Sequence, residues 1–392
     1  MTAATPSPAP ITARIDQRQA LELYTDCSIQ ELGRRAHQIS MRLHPEPYRT
    51  YVVDRNINYA NYCTARCIFC NFKADPPTMN SGRKDLPEGY ILSFEEIGRK
   101  IDELLAIGGT QVLMQGGLVP PEMLPFEWYL DLLRFIKKGY PTIHIHAFSP
   151  PEIFAFHQIF GLPLRECLLR LQDAGLDTIP GGGAEILVDR VRDRIGLGKT
   201  RTDEYLLVMR EAHRIGMRTS ITMMFGHLET IPERIEHLSR VRDLQDETGG
   251  FTAFICWTFQ PADTPLGRVK QFPADYAGPP DGRHLKLADA GEYLRTLALS
   301  RIFLDNIPNL QASWVTQGPK IGQLALYFGA NDMGSVMMEE NVVSAAGTTY
   351  RLTAEQIRRL ISEAGWQPRQ RTCYYELVDR PPGVPPGAAR RA

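Results

Sequence analysis

Long hydrophobic runs and an excess of charge of either sign are both missing from this chain of 392 residues. The longest nearly apolar stretch, Phe251 to Phe259, is nine residues long, whereas a helix needs about 20 residues to cross a bilayer. Lys and Arg number 44, and Asp and Glu number 45. No overall field therefore attracts a nucleic acid backbone or an anionic membrane, and we expect the protein to bind neither.

Cysteine is also scarce, and the N-terminus lacks the features of a secretion signal. Seven cysteines in 392 residues are too few and too unevenly placed for a disulfide scaffold. The opening sequence MTAATPSPAP has neither a basic start nor an apolar run. We therefore expect a cytoplasmic protein. With 43% hydrophobic and 23% charged residues, the chain has the composition of a globular protein with a substantial core.

Extended and helical patterns alternate along most of the chain. The β-branched segment 50–58 precedes a helical segment, 93–108, in which Ser93 and Glu96 form a capping box. Further strands are predicted at 110–117, 142–150, 176–180, 217–226 and 251–259, with helical patterns between them. Strands separated by helices pair in parallel, and a right-handed series of this length commonly closes. We predict a TIM-like (β/α) barrel, with a doubly wound open sheet as the alternative.

The two ends of the chain fall outside this alternating pattern. Residues 1–48 are predicted to form a leader and a helical extension, and residues 49–287 the barrel core. Residues 288–380 contain a long helical pattern, a short apolar strand and two more helices, which we expect to complete the barrel and cap it. Residues 381–392 are rich in Pro and Gly, bury too little apolar surface to fold, and are predicted to be disordered.

Three cysteines are grouped directly after the first predicted strand. Cys63, Cys67 and Cys70 are close enough in sequence to converge from one loop on a compact inorganic centre. Soft sulfur ligands select zinc or iron–sulfur clusters. A structural zinc site normally has four protein ligands, so zinc would require a distant fourth ligand to fold in. Three thiolates on a four-iron cluster would instead leave one iron open to a small molecule.

The spacing Cys-x3-Cys-x2-Cys, with the aromatic Phe69 before the last cysteine, resembles the signature of the radical S-adenosylmethionine (SAM) superfamily. The resemblance implies that Cys63, Cys67 and Cys70 bind a [4Fe–4S] cluster and that its open iron binds SAM. Longer segments, among them HIHAFSPPEI, IPGGGAEI, FTAFICWTFQP and GANDMGSVMMEENVVSAAG, resemble the cyclic dehypoxanthine futalosine synthase family. That family acts in the futalosine route to menaquinone.

The resemblance to this family implies one reaction and leaves neighbouring reactions open. A 5′-deoxyadenosyl radical made from SAM would remove the C4′ hydrogen from the sugar of dehypoxanthine futalosine, and the sugar radical would attack the benzoate ring. A one-electron donor such as flavodoxin or ferredoxin would reduce the cluster. The enzyme alternatives are aminodeoxyfutalosine synthase and a deazaflavin (FO) synthase. The alternative outside enzymes is an iron–sulfur or zinc-binding protein.

Several residues near the ends of predicted strands are candidates for binding SAM. Gly116 and Gly117 would let backbone carbonyls approach the amino group of SAM, although paired glycines more often end strands or form turns. Phe69 and Ser149 are further candidate contacts. Arg190 could reach the SAM carboxylate, with solvent exposure or a local ion pair as the alternative.

Three side chains are candidate proton acceptors for the cyclisation: Glu185, His146 and His227. Glu185 follows three consecutive glycines, where it could also hold ribose hydroxyls or complement the dipole of the next helix. His144 and His146 are two apart on a strand and therefore face the same side, as metal-binding pairs often do. Because the cysteines already account for a metal centre, we favour hydrogen-bonded histidines near the pocket over a second metal site. His227 comes just after a predicted strand.

The last candidates are assigned to the substrate or to the core. His144 is a predicted substrate contact. Asn331 and Asp332 in GANDMG are predicted to bind substrate hydroxyls, although such a string more often forms a turn. Cys167 and Cys256 occur within apolar patterns and are predicted to be small core residues.

Overall fold

The computed structural model describes residues 14–79, 82, 86–269, 285–339, 341, 344–347 and 350–378. Its strands are β1 (Tyr48–Val52), β2 (Asp54–Ile57), β3 (Arg66–Cys67), β4 (Gln111–Met114), β5 (His144–Ala147), β6 (Thr178–Ile179), β7 (Gly196–Leu197), β8 (Arg218–Phe225), β9 (Phe251–Thr258), β10 (Asn309–Gln311), β11 (Asp332–Ser335) and β12 (Gln367–Gln370). The predicted leader residues 1–13 and the predicted tail 381–392 lie outside the described residues.

Helices alternate with these strands over most of the described chain. They are α1 (Gln17–Asp26), α2 (Ile29–Leu43), α3 (Phe94–Ala106), α4 (Phe126–Gly139), α5 (Pro150–Ile159), α6 (Leu164–Ala174), α7 (Asp189–Ile195), α8 (Thr202–Arg214), α9 (Ile231–Thr248), α10 (Ala290–Phe303), α11 (Trp314–Gln317), α12 (Pro319–Ala325) and α13 (Ala354–Glu363), with a 3₁₀ turn at Ser344–Ala346. The N-terminal helices α1 and α2 pack against α9 and α10. Among the described helices, none combines the length and the apolar character that crossing a membrane requires.

Ten strands form one parallel sheet in the order β12-β1-β11-β10-β9-β8-β6-β5-β4-β2. β2 is the last strand in this order and β1 is the second, yet Val53 alone separates them in sequence. The chain therefore joins the two sides of the sheet. The sheet therefore curls into a barrel with eight strand positions, of which the β1–β2 segment is one. β12 is an additional strand beside β1, with Gln367 opposite Tyr48. This topology confirms the predicted barrel, and β10 and β11 supply its last two positions.

Side chains alternate between the barrel interior and the surrounding helices. On β2, Asp54 and Asn56 line the interior, while Arg55 reaches α3 and forms an ion pair with Glu103. On β9, Trp257 lines the interior, so Cys256 points to the opposite face, where it is fully buried. Cys167 in α6 is fully buried as well. Both predictions of core cysteines are confirmed.

Two helix starts differ from the predicted pattern. The sequence pattern predicts an extended segment over 142–150, but β5 ends at Ala147 and α5 begins at Pro150. The helical sequence pattern between the strands at 176–180 and 217–226 covers residues 184–195, but α7 begins only at Asp189, because tertiary contacts hold the preceding backbone. The Arg192 guanidinium donates to the Ala184 carbonyl at 2.5 Å, and the Met224 amide donates to the Glu185 carbonyl at 3.0 Å. By contrast, α3 begins with the predicted capping box.

Candidate active site

The three clustered cysteines follow β2 at the carboxyl end of the barrel strands, and all are free thiols. Cys67 lies on β3, which pairs antiparallel with β7 opposite Gly196. The Cys63 amide donates to the Ala74 carbonyl at 3.0 Å, and the Cys70 amide donates to the Cys67 carbonyl at 3.4 Å. These backbone contacts hold the cysteine-bearing segment 63–70, called the cysteine loop below, in one arrangement.

Burial raises the pKa of the Cys63 thiol and raises that of Cys67 to about 12. Both groups therefore stay protonated at neutral pH until a metal displaces the proton, as metal ligation does to thiols. The three sulfurs form a soft donor set of the kind that binds zinc or iron–sulfur clusters. In the described part of the chain, no three His, Cys, Asp or Glu side chains are grouped closely enough to hold a single metal ion.

Gly116 and Gly117 follow β4 and lie against the cysteine loop. A Cβ on Gly117 would be 2.0 Å from the Tyr62 carbonyl oxygen, and one on Gly116 would be 2.5 Å from the Tyr59 ring. The next residue, Leu118, donates its amide hydrogen to Cys63 Sγ at 3.3 Å. The two glycines therefore permit a backbone approach that side chains would prevent. Their predicted contact with SAM stays a prediction.

Glu152, on α5, is a buried carboxylate that the sequence analysis missed. It is 1% exposed and accepts hydrogen bonds from the Gly116 amide at 3.0 Å and the Tyr59 hydroxyl at 2.5 Å. The Ser149 amide and hydroxyl also donate to it. Burial raises its pKa. Ser149, a predicted SAM contact, thus uses its hydroxyl within the protein. The signal for Glu152 was the string Ser-Pro-Pro-Glu, a capping box with proline at the first helical positions.

Glu185 lies beside a second residue that the sequence analysis missed, Lys199. The Lys199 ammonium is 2.8 Å from Glu185 Oε1 and 5.2 Å from the centre of the Phe69 ring. Glu185 is 7% exposed and has a left-handed φ of 38°. Because it pairs with a cation and α7 begins four residues later, it does not complement the dipole of that helix. No sequence signal identified Lys199, since its partners are distant or depend on tertiary folding.

Arg190 and His227 are engaged by neighbouring protein groups. The Arg190 guanidinium binds both carboxylate oxygens of Glu233, at 2.5 and 2.6 Å, which matches the local ion pair given as the alternative. The His227 ring is buried, and its Nδ1 accepts from the Leu228 amide at 2.7 Å. Its Nε2 is 3.1 Å from the Met224 carbonyl. Their predicted roles toward SAM and the substrate stay predictions.

Asn331 and Asp332 join strands of the barrel. Asp332 is fully buried and accepts two hydrogen bonds from Arg371, at 2.5 and 2.9 Å, and one from the Thr50 hydroxyl at 2.5 Å. The Asn331 amide oxygen accepts from Arg301 at 3.0 Å. These observed partners all belong to the protein. Contact of Asn331 and Asp332 with substrate stays a prediction.

A cavity of about 280 Å³ occupies the barrel interior. Glycines 181–183, which directly precede the segment carrying Glu185, line it at the carboxyl ends of the strands. Arg371, Cys373 and Tyr375, which follow β12, also line it. Cys373 Sγ is 3.4 Å from Oγ1 of Thr178, the first residue of β6, so this part of the lining lies toward the opposite end of the barrel. Its wall includes Asp54, Asn56, Gln111, Leu113, His146, Ser220, Ile255, Trp257, Val315 and Ser335. The cavity therefore extends along the barrel axis from the cysteine-loop side.

His146 contributes its ring to the cavity wall. Its Nδ1 is 2.7 Å from Thr178 Oγ1, and its Nε2 is 3.4 Å from Ser220 Oγ. Burial lowers its pKa to about 3, so the imidazole is neutral at pH 7. His144 also lies 2.7 Å from Thr178 Oγ1, but its ring packs edge-on against Tyr374 at 5.0 Å between centroids. The structure therefore places His146, and not His144, on the cavity wall.

Comparison with known proteins agrees with this architecture. The model of the radical SAM superfamily matches residues 57–241, and that of the CofH/MqnC C-terminal region matches residues 248–384. Cyclic dehypoxanthine futalosine synthase from Halalkalibacterium halodurans is 44% identical over 93% of this chain and 92% of its own. The enzyme of that name from Streptomyces coelicolor is 39% identical, over 93% and 85%. A 5-amino-6-(D-ribitylamino)uracil–L-tyrosine 4-hydroxyphenyl transferase from Methanosarcina acetivorans is 40% identical, over 84% and 82%.

Solved structures of distant sequence share the fold. Methylornithine synthase superposes with a TM-score of 0.67 at 17% identity, covering 91% of this chain and 95% of its own. The hydrogenase maturase HydG from Carboxydothermus hydrogenoformans gives 0.69 at 15% identity, covering 92% and 77%. A parallel barrel with three free cysteines after its first strand is the arrangement of a radical SAM enzyme. The chain belongs to the radical SAM superfamily, within the group that contains cyclic dehypoxanthine futalosine synthase and the transferase above.

Proposed function

We propose that this enzyme converts dehypoxanthine futalosine to cyclic dehypoxanthine futalosine in menaquinone biosynthesis. The observation that carries the proposal is the 44% identity to a cyclic dehypoxanthine futalosine synthase over 93% of the chain. A second candidate is the tyrosine-dependent transferase reaction, which the 40% identity over 84% of the chain favours. The first relative matches more of the chain at higher identity, so cyclisation is preferred.

The cofactors in this proposal are a [4Fe–4S] cluster, held by Cys63, Cys67 and Cys70, and SAM. The residues present fit the cluster, because three free thiols share one loop and the Leu118 amide already donates to a sulfur. Each thiolate would bind a different iron, so the three sulfurs need not converge on a single ion. Hydrogen bonds to cluster sulfurs are one of the means by which proteins tune these centres. When bound, the two groups supply a 5′-deoxyadenosyl radical that removes hydrogen from the sugar C4′ of the substrate.

The protein groups proposed to bind SAM surround the cysteine loop. Gly116 and Gly117 bring backbone within reach of it, and Glu152 fixes that backbone through the Gly116 amide. Glu185 offers a buried carboxylate for ribose hydroxyls. Lys199, which lies over Phe69 of the cysteine loop, is the cation proposed for the SAM carboxylate in place of Arg190. Arg190 binds both carboxylate oxygens of Glu233, whereas Lys199 donates to one oxygen of Glu185 and keeps further ammonium hydrogens to donate.

His146 is the proposed proton acceptor. Of the three predicted acceptors, it is the one whose ring lines the cavity, and burial keeps it neutral. With the proton on Nδ1, the ring donates to Thr178 Oγ1, and the Thr178 hydroxyl donates its own hydrogen to His144 Nε2. After ring closure the substrate radical loses one electron, to the oxidised form of a one-electron carrier, and one proton. His146 Nε2, which lies 3.4 Å from Ser220 Oγ, is the proposed acceptor of that proton.

A soluble one-electron donor of the flavodoxin or ferredoxin kind completes the proposal, with the reaction taking place in the cytoplasm. The donor would approach the outer side of the cysteine loop. There Arg66 and Leu197, which face each other across the β3–β7 pair, are both exposed.

Reconstitution of the enzyme without air, followed by mass spectrometry of the products, tests the proposed function. Dehypoxanthine futalosine should give a product that differs from it by loss of hydrogen alone. Variants Cys63→Ala, Cys67→Ala and Cys70→Ala should lose product and cluster iron, and the buried Cys256→Ala should keep both. Product formed from tyrosine and 5-amino-6-(D-ribitylamino)uracil, with none from dehypoxanthine futalosine, would replace the proposal by the transferase reaction.

A further inference from the structure

We propose that Asp54, Asn56 and Gln111 form a hydrogen-bond-accepting wall of the barrel cavity, and that this acceptor wall binds the sugar hydroxyls of the substrate. The inference rests on the proposed function, which supplies a substrate that combines a sugar with an aromatic ring. The inference concerns the orientation of the substrate in the barrel, in which the sugar lies against β2 and β4.

The acceptor wall follows from the register of two neighbouring strands. Asp54 of β2 is opposite Gln111 of β4, and Asn56 is opposite Leu113. Side chains two apart on a strand share a face, so Asp54 and Asn56 both project inward. All three polar residues of the wall line the cavity, and they are only 4% to 5% exposed.

Two oxygen atoms of the wall lack partners. Gln111 Oε1 and Asn56 Oδ1 are buried and accept no hydrogen bond from the protein. The orientation of the Gln111 amide is determined by its Nε2, which donates to Asp54 Oδ2 at 3.1 Å, so its other end must be the acceptor. Buried polar groups are normally hydrogen-bonded, so these two oxygens on the cavity wall are available to accept hydrogen bonds from a bound molecule.

The chemistry of the wall selects the part of the substrate that it can bind. The Asp54 carboxylate already accepts hydrogen bonds from the Ser335 hydroxyl and from the Gln111 side-chain amide. The unpartnered oxygens of Gln111 and Asn56 require hydrogen donors. Sugar hydroxyls donate hydrogen bonds, whereas a benzoate carboxylate only accepts them and would be repelled by Asp54. The sugar therefore belongs at this wall.

The opposite side of the cavity suits the aromatic ring. β9 is four strand positions from β4 in either direction around the barrel, so the two strands face each other across it. From β9, Ile255 and Trp257 line the cavity, and Val315 of α11 lies on the same side. Aromatic and aliphatic side chains bind a flat ring by burying its faces.

Deoxy analogues of the substrate, each lacking one sugar hydroxyl, test the acceptor wall in the reconstituted holoenzyme. For at least one analogue, the wild type should lose about tenfold in affinity relative to the full substrate, as one hydrogen bond predicts. Asn56→Leu should lose about tenfold for the full substrate and show no further loss with that analogue. Gln38→Leu, a matched change at an exposed position on α2, should behave as the wild type.

The proposal would be overturned if the losses were additive, that is, if Asn56→Leu weakened the binding of every analogue by the same factor as that of the full substrate. It would also be overturned if Asn56→Leu bound the full substrate with the affinity of the wild type. Cluster iron content shows whether Asn56→Leu has folded. If it has not, Gln111→Met, which keeps the length of the side chain, repeats the comparison. Cyclised product from the wild type together with additive losses would defeat the acceptor wall alone. Failure of the wild type to bind dehypoxanthine futalosine would defeat both the wall and the proposed function.

Discussion

Gly117 and Tyr62 are in such close backbone contact that a Cβ on Gly117 would lie 2.0 Å from the Tyr62 carbonyl oxygen. The glycine therefore sets the position of the cysteine loop relative to β4. Since the Tyr62 backbone directly precedes Cys63, a side chain at Gly117 should displace the first cluster ligand.

Gly117→Ala should accordingly lower the cluster iron recovered on reconstitution, by about half or more, while the purified protein remains folded by circular dichroism. Gly139→Ala is the control, because a Cβ there meets nothing within 4 Å. Full iron content in Gly117→Ala would show that the loop tolerates the displacement.

The buried pair Glu185–Lys199 leads to a second prediction. Glu185→Gln keeps the shape of the side chain and removes its charge, so we expect turnover to fall about tenfold while cluster iron stays constant, as the loss of one charge-assisted contact predicts. Glu363→Gln, whose side chain is 49% exposed, is the control. A lowered melting temperature with unchanged kinetics would assign Glu185 to the fold alone.

The Arg371–Asp332 ion pair leads to a third prediction, on stability. Arg371→Leu leaves the Asp332 carboxylate buried without its cation, which should cost about 3–5 kcal/mol in the free energy of unfolding. Adding Asp332→Asn should restore part of the loss. Arg359→Leu, in a pair whose arginine side chain is 78% exposed, should cost only about 0–1 kcal/mol. Equal urea midpoints for the Arg371 and Arg359 variants would contradict this prediction.

The pH dependence of stability should reveal Asp54. Burial raises the pKa of Asp54 from 3.8 to about 6, so the folded protein holds this proton to higher pH than the unfolded chain. The stabilisation that this proton gives the folded protein is fully present below about pH 4 and is lost as the pH rises through 6. The free energy of unfolding falls by about 3 kcal/mol over this range. Asn at position 54 does not titrate, so the free energy of unfolding of Asp54→Asn should not show this fall. The difference in unfolding free energy, variant minus wild type, should therefore rise by about 3 kcal/mol between pH 4 and 7. A constant difference in urea denaturation would refute the shift.

Much of the barrel and the location of its site could be predicted because both depend on local sequence patterns. Strand periodicity and the Ser93–Glu96 capping box need only neighbouring residues, and the cysteine loop is one contiguous segment. The partners of Asp332 could not be predicted in this way, since Thr50 is 282 residues away in sequence. The contact between Lys199 and Glu185 likewise forms only when β7 returns to the cysteine loop.

The start of α5 is different, because its signal was present in the sequence. Ser149 and Glu152 enclose two prolines in a pattern that begins helices, but the β-branched and apolar residues before them favoured a longer strand. The polar face of the barrel interior had no comparable signal. Asn56 and Gln111 lie on the same wall of the cavity because β2 and β4 pair in parallel in this register, which the sequence alone does not give.

Transfer of deuterium from the substrate to 5′-deoxyadenosine tests the central claim most directly. With dehypoxanthine futalosine labelled at the sugar C4′, the account predicts that the label appears in 5′-deoxyadenosine formed together with cyclised product, because the cavity holds that hydrogen next to the radical. Unlabelled 5′-deoxyadenosine formed alongside the cyclised product would contradict abstraction at C4′, and an adenosylated product would contradict cyclisation itself.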